Sequence, residues 1–261
     1  MKTEKDFLYE IEVLGFSLFE NVVPSEMLVA LRNDIETYTK ICADWQKRNN
    51  LPSGMDGSGH HVLGREDSLD NFLYSFFLDE YISAYFENSA FILNSYGAVD
   101  NLPSSENTYQ HAHRFHRDVR TYSNGFRLML NMLVMIDDFT IENGATKVVA
   151  GSHQVKERPS DEFLEKNAIQ VTGGAGSIIL FDSNLWHSAA PNKTDRLRKA
   201  LTPTFTRAFM KQQMDYPRML GEDFPKNEKM RQLLGYNSRV PASHDEWYQP
   251  PEKRMYKPGQ G

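Results

Sequence analysis

Residues 110–120 read QHAHRFHRDVR, and the triplet His116-Arg117-Asp118 inside them decides how the rest of the chain is read. Alternate side chains of an extended strand share a face. A strand here would aim His116 and Asp118 at one point and turn Arg117 away. One imidazole and one carboxylate leave a cation mostly uncoordinated, so a third donor is needed. His187 offers it, within SIILFDSNLWHSAAP (177–191). Two histidines and a carboxylate, with three positions free, form the facial donor set of non-haem Fe(II) sites. Eleven residues further on, Arg198 opens RKALTPTFTR (198–207), where a planar guanidinium can grip a carboxylate through two parallel hydrogen bonds.

Outward from that stretch the chain keeps a β texture. AFILNSYGAV (90–99), TYQHAHRFHRD (108–118), FRLMLNMLVMIDDF (126–139) and TKVVAGSH (146–153) join the two segments above as expected strands. Gly, Asn, Pro and Asp turns separate them. Such density implies a sandwich or barrel. The N-terminal side differs. Residues 1–23 read as a lead-in with a short strand at 15–19, and Pro24 opens an amphipathic helix striped by Leu28, Leu31, Ile35, Tyr38, Cys42 and Trp45. A loop with Pro52, Gly54, Gly57, Gly59 and Gly64 fills 49–67, a candidate lid carrying His60 and His61. Ser68 caps a second helix through LDNFLYSFFLDEYISAYFEN. The expectation is one domain, 1–261: a helical part at 1–89, a β core at 90–207, and an extension at 208–261 with a short helix near NEKMRQLLGY.

Composition narrows the function classes. With 40% apolar and 25% charged residues the chain is an ordinary globular protein. A net charge of −6 argues against a nucleic-acid partner, and no apolar run reaches the length of a membrane span. Cys42 is the single cysteine, which excludes an internal disulfide and points to a reducing, cytoplasmic setting. No apolar leader precedes the charges of MKTEKDFLYEIEV.

The blocks FHRD, IENGATKVVAGSH and GGAGSIILFDSNLWHSAAPNKTDRLRKALTPTF resemble the phytanoyl-CoA dioxygenase-like oxygenases, over roughly residues 90–207. One departure is Ala150, where the family usually has Pro before G-S-H. The resemblance implies a mainly β fold with flanking helices, a jelly-roll (double-stranded β-helix, cupin-like) barrel with iron at its open end. It implies Fe(II), 2-oxoglutarate as cosubstrate, O2, and decarboxylation to succinate coupled to hydroxylation of a small molecule. His116, Asp118 and His187 then hold the metal, and Arg198 grips the far carboxylate of 2-oxoglutarate. Asp118 fills the position that related halogenases leave vacant for chloride, so halogenation is not expected.

Other residues follow from the strands themselves. Thr202 shares a strand face with Arg198 and can add a second hydrogen bond. Arg196 competes with Arg198 but belongs to the NKTDR turn. Asn131 interrupts LMLNMLV, and a polar group there needs a partner, either the cosubstrate or a protein atom. Thr146, after Asn143-Gly144, is a candidate of the same kind. On a regular strand Arg114 and Arg120 would face the ligand side, so Arg120 is a candidate contact for an anionic substrate, with a protein carboxylate as the alternative partner. His60 and His61 are either surface residues or substrate contacts, and His111 and His153 read as ordinary histidines. Two other function classes remain: a non-catalytic jelly-roll that binds a metal or sugar, and a zinc hydrolase, for which no general base stands out. The substrate and the oligomeric state leave no signal in the sequence.

Overall fold

The computed structural model describes residues 1–51, 57–104 and 113–261. Helix α1 (Glu4–Leu14) leads into β1 (Phe16–Phe19), followed by α2 (Ser25–Arg48), β2 (Ser58–His60), α3 (Ser68–Tyr74) and α4 (Asp79–Tyr85). The β-rich part runs through β3 (Phe91–Asn101), β4 (Met129–Met135), β5 (Lys147–Val148), α5 (Asp161–Asn167), β6 (Ile169–Gln170), β7 (Ile178–Asp182), β8 (His187–Ser188) and β9 (Arg198–Arg207). Short helices α6 (Tyr216–Leu220), α7 (Glu228–Leu233) and α8 (His244–Trp247) end the chain.

Among the described residues the interior holds two main cores, one on each face of the large sheet, and a third, small cluster of Phe115, Val149, Leu164 and Trp186. The strands form a six-stranded sheet, β1-β7-β4-β9-β3-β2, and a three-stranded sheet, β6-β5-β8, antiparallel throughout. Every residue of β4 is buried, because both of its faces are covered. Leu130, Met132 and Val134 join Leu201 and Phe205 of β9 against the helices, among them Leu31 and Ile35 of α2. Leu133 and Met135 point the other way, to Val148, Ile179, Phe181 and Ala200 between the two sheets. This is the jelly-roll expected from the sequence. Its polar inward positions lie on the same face as that second core.

Several elements differ from the sequence reading. The lead-in holds a full helix, α1, capped by Thr3, whose hydroxyl accepts from Asp6 N at 3.2 Å. The short strand expected at 15–19 is present as β1, and β2, within the loop expected at 49–67, is added to the same large sheet. The α2 stripe is buried as far as Cys42, but Trp45 is 45% exposed because the sheet no longer lies beneath it. The helix expected from Ser68 is broken between α3 and α4, where Phe76 and Leu78 take left-handed backbone (φ 49° and 58°). Its cap is Asp67, accepting from Leu69 N, while the Ser68 hydroxyl is spent on Asp34. Of the expected strand at 108–118, residues 113–118 form no ladder. His116 alone bridges to His187. Among the described residues no helix is long and apolar enough to cross a membrane.

Candidate active site

The proximal ligand segment is irregular backbone fastened to the distal strand. His116 and His187 exchange backbone hydrogen bonds at 3.0 and 3.1 Å, and Asp118 N donates to Ser183 O at 3.1 Å. Asn184, 2% exposed, holds the next turn: its Oδ1 accepts from Ser123 N, and its Nδ2 donates to the carbonyls of Val119 and Thr121. The effect expected of a strand is reached another way. His116, Asp118 and His187 converge, with one donor atom from each lying within 4.8 Å of the others. Each histidine Nε2 is 3.6 Å from a different oxygen of Asp118.

The tautomers follow from the partners. His116 Nδ1 lies 2.8 Å from Arg114 O and His187 Nδ1 lies 3.0 Å from Leu185 O. A carbonyl can only accept, so each Nδ1 carries the proton and each Nε2 presents its lone pair to the centre of the trio. Burial pushes the His187 imidazole below its ordinary pKa, although Asp118 pulls the other way, so the neutral ligand form prevails at physiological pH. Asn131 Nδ2 donates to Asp118 Oδ2 at 2.7 Å, which orients the carboxylate. Its Oδ1 is buried without a partner.

Arg198 lies on the same inner face, beyond Ala200. It is 3% exposed and its guanidinium stands 3.9 Å from the ring centre of Phe139. Nη2 donates to Gly144 O at 3.3 Å, Nε has no partner, and among the described residues no carboxylate pairs with it. Asp137 and Asp100, which raise its pKa, are engaged with Arg32 and Lys199, so burial wins and lowers it to about 10. Gly144 makes the approach possible: its φ is +78°, and a Cβ there would stand 2.2 Å from Ala190 O. His113 is pushed down by burial first, then by the cations of Lys147 and Arg198, so positive charge converges on this end of the cavity. Thr146, buried, sits in the same turn as Gly144.

The inner wall between these ends is set by register. Thr202 pairs with Gly97 and Gly97 with His60, while Thr204 pairs with both Asn131 and Ser95. A Cβ on Gly97 would lie 2.7 Å from Thr202 Oγ1 and 4.0 Å from His60 Nδ1, so the Thr202 hydroxyl takes the space a side chain at 97 would need, with His60 beside it. A Cβ on Gly59 would meet Cys42 and Tyr38 on the opposite face, so His60 turns away from α2, and on this edge strand it is exposed. His61, with φ 57°, turns away to place Nδ1 3.0 Å from the Tyr216 hydroxyl. It is part of the packing, not of the cavity.

Arg114 and Arg120 are both exposed, and the strand alternation that put them on the ligand face does not exist here. His153 reaches the Glu12 carbonyl at 3.2 Å, Arg196 is exposed, and His111 lies outside the described residues. The sequence reading missed Asn184, Ser95 and Thr204. Asn in the DSN turn was the visible signal for the first.

With the geometry in place, comparison with known proteins is informative. The family model described as Phytanoyl-CoA dioxygenase (PhyH) matches residues 11–200. The chain belongs to that family. Within reach of this PhyH member is a protein of Mycobacterium tuberculosis called Rv1501 and described as uncharacterized, 45% identical over 160 residues, which are 60% of this chain and 58% of that protein. The dioxygenase cdmA of Talaromyces verruculosus is 30% identical over 131 residues, 45% of this chain and 40% of its own length. The chain thus spans less than two thirds of these relatives. Among solved structures, EctD from S. alaskensis with 2-oxoglutarate and 5-hydroxyectoine superposes with a TM-score of 0.63 at 16% identity, covering 79% of this chain and 76% of EctD. The α-ketoglutarate-dependent epimerase SnoN gives 0.61 at 15%, covering 79% and 81%. At such identity these two speak for the shared fold.

Proposed function

We propose that this protein is an Fe(II)- and 2-oxoglutarate-dependent dioxygenase that hydroxylates a small-molecule metabolite. The observation that carries the reading is Arg198: a buried guanidinium with an open Nε and no carboxylate of its own, on the wall that also presents the trio. A fixed metal and a fixed cation separated by a polar wall suit a dicarboxylate chelating one and reaching the other. The name of the fungal relative, dioxygenase cdmA, supports the same chemistry.

In this reading His116, Asp118 and His187 hold Fe(II). When bound, Fe(II) and 2-oxoglutarate supply oxygen activation, with 2-oxoglutarate consumed to succinate and CO2. The chain does the rest. Nδ1–H bonds to two carbonyls fix both tautomers and aim each Nε2 at the centre, and Asn131 holds Asp118 in orientation. Arg198 takes the far carboxylate in a water-poor recess, where a charge-assisted pair is strong. Thr202, on the same face of β9, and Thr146, in the turn with Gly144, add neutral donors to the wall. His60, on the edge strand β2, lines the approach for a polar substrate. Desolvation lowers its pKa, so it acts as a neutral hydrogen-bonding group. An anionic substrate has no support from Arg120. A reducing, cytoplasmic setting, with Cys42 a buried free thiol, belongs to the same reading.

The test is direct. Purified protein with Fe(II), ascorbate and 2-oxoglutarate should form succinate, and His116→Ala should abolish this while remaining folded. Stoichiometric metal uptake by the wild type with no succinate in the presence of a broad metabolite panel would leave a non-catalytic jelly-roll binder.

A further inference from the structure

The ligands are held by contacts between separate backbone segments, and one side chain ties these segments together. Arg117 stands between His116 and Asp118, but its side chain runs to the far side and is 6% exposed. Nη2 donates to Ser152 O at 2.8 Å and to the Val155 carbonyl, and Nη1 donates to Lys156 O at 3.3 Å. The guanidinium carbon lies 4.8 Å from the ring centre of Trp186, the residue before the distal ligand. Trp186 in turn donates its backbone N–H to Ser152 Oγ at 3.0 Å. One fork therefore grips three carbonyls of a single turn while stacking on the neighbour of His187.

Among the described residues no carboxylate pairs with this cation, whose Nε is buried without a partner. An apolar side chain could fill the space but would leave those three carbonyls without their donor. What only the planar fork supplies is direction, because its N–H vectors are fixed relative to one another. We infer that Arg117 is a positioning residue for the metal centre. It fixes the angle at which His116 and Asp118 meet His187, and so sets how tightly the cation is held. The inference rests on the metal reading of the trio.

Co(II), which does not oxidise readily in air, is the probe. Its dissociation constant is measured by titration for wild type, Arg117→Met and Arg117→Lys, well below the melting temperature of each metal-free protein. Both variants should bind Co(II) about 10–100-fold more weakly, the range found when groups supporting metal ligands are removed. Lysine should not rescue, because a point charge cannot reproduce the fork. Millimolar guanidinium should partly restore Arg117→Met and not Arg117→Lys. A folded variant whose affinity stays within about threefold of wild type overturns the inference, and so does failure of both variants to fold, which would assign Arg117 to the fold alone. Wild type that takes up no Co(II) overturns the metal reading first, a result distinguishable from either.

Discussion

Arg198 is buried with only partial compensation: among the described residues it has Gly144 O and the Phe139 ring, while its Nε is unpartnered and Asp137 and Asp100 are held by Arg32 and Lys199. Two opposite effects should follow from Arg198→Met. The metal-free protein should melt at a higher temperature, because an unpaired buried charge is replaced by an apolar chain of similar length. The thermal shift that 2-oxoglutarate induces should disappear, because losing a buried charge pair costs about 2–5 kcal/mol. A lower melting temperature with the ligand shift intact would reject both. Asn131→Leu tests the carboxylate support: without the bond to Asp118 Oδ2, Co(II) affinity should fall severalfold by titration, with succinate formation falling in step. At this scale the sequence was highly legible. The four chemically distinctive residues lie close in the chain to segments whose apolar runs mark them as β. The supporting atoms were not legible, because a backbone carbonyl such as Leu185 O leaves no trace in residue identity.

Element by element, the ligand geometry survives although residues 113–118 of the expected strand form no ladder, residues 108–112 lying outside the described ones. His116 is bridged to His187 and Asp118 is hooked to Ser183 O, with Asn184 bonding the turn that follows. Asn184→Ala strips three of these bonds and should loosen residues 119–123. Faster amide exchange there, weaker Co(II) binding and an almost unchanged β-sheet spectrum are expected. Uniform exchange across the chain would contradict it. Helix α1 was missed because only Phe7 and Ile11 among its residues are buried, too few to set a period against the surrounding charges. The break between α3 and α4 was invisible for a related reason: Phe and Leu do not announce left-handed backbone. Strands β4 and β7 were found easily, since burial on both faces gives apolar runs.

Across the whole molecule the large sheet separates a helix-covered core from the core that carries the site. Ile35→Ala, wholly in the former, should cost about 2–5 kcal/mol in denaturant unfolding and leave Co(II) affinity unchanged. A matching loss of affinity would show that the two cores are not separable. Acid should destabilise the protein through its buried imidazoles. Burial, with His60 adding to it, holds His61 below its ordinary value of 6.5. In the unfolded chain it returns to that value, so below about pH 6.5 the unfolded state binds more protons and stability falls as pH is lowered. His61→Gln, able to keep a bond to Tyr216, should flatten the fall between about pH 6.5 and 5 in urea midpoints. An unchanged slope would exclude His61 as a contributor.

The close approach at Gly97 has a consequence for the neighbouring strand. Its backbone is ordinary, so room alone forbids a side chain, and the nearest obstacle is Thr202 Oγ1, which moves only when that stiff, β-branched side chain turns about χ1. A methyl at position 97 therefore presses on the residue that shares a strand face with Arg198. Glycine is what lets β3 and β9 keep a hydroxyl between them, and Gly97→Ala should weaken 2-oxoglutarate binding in a thermal-shift titration before it weakens Co(II) binding.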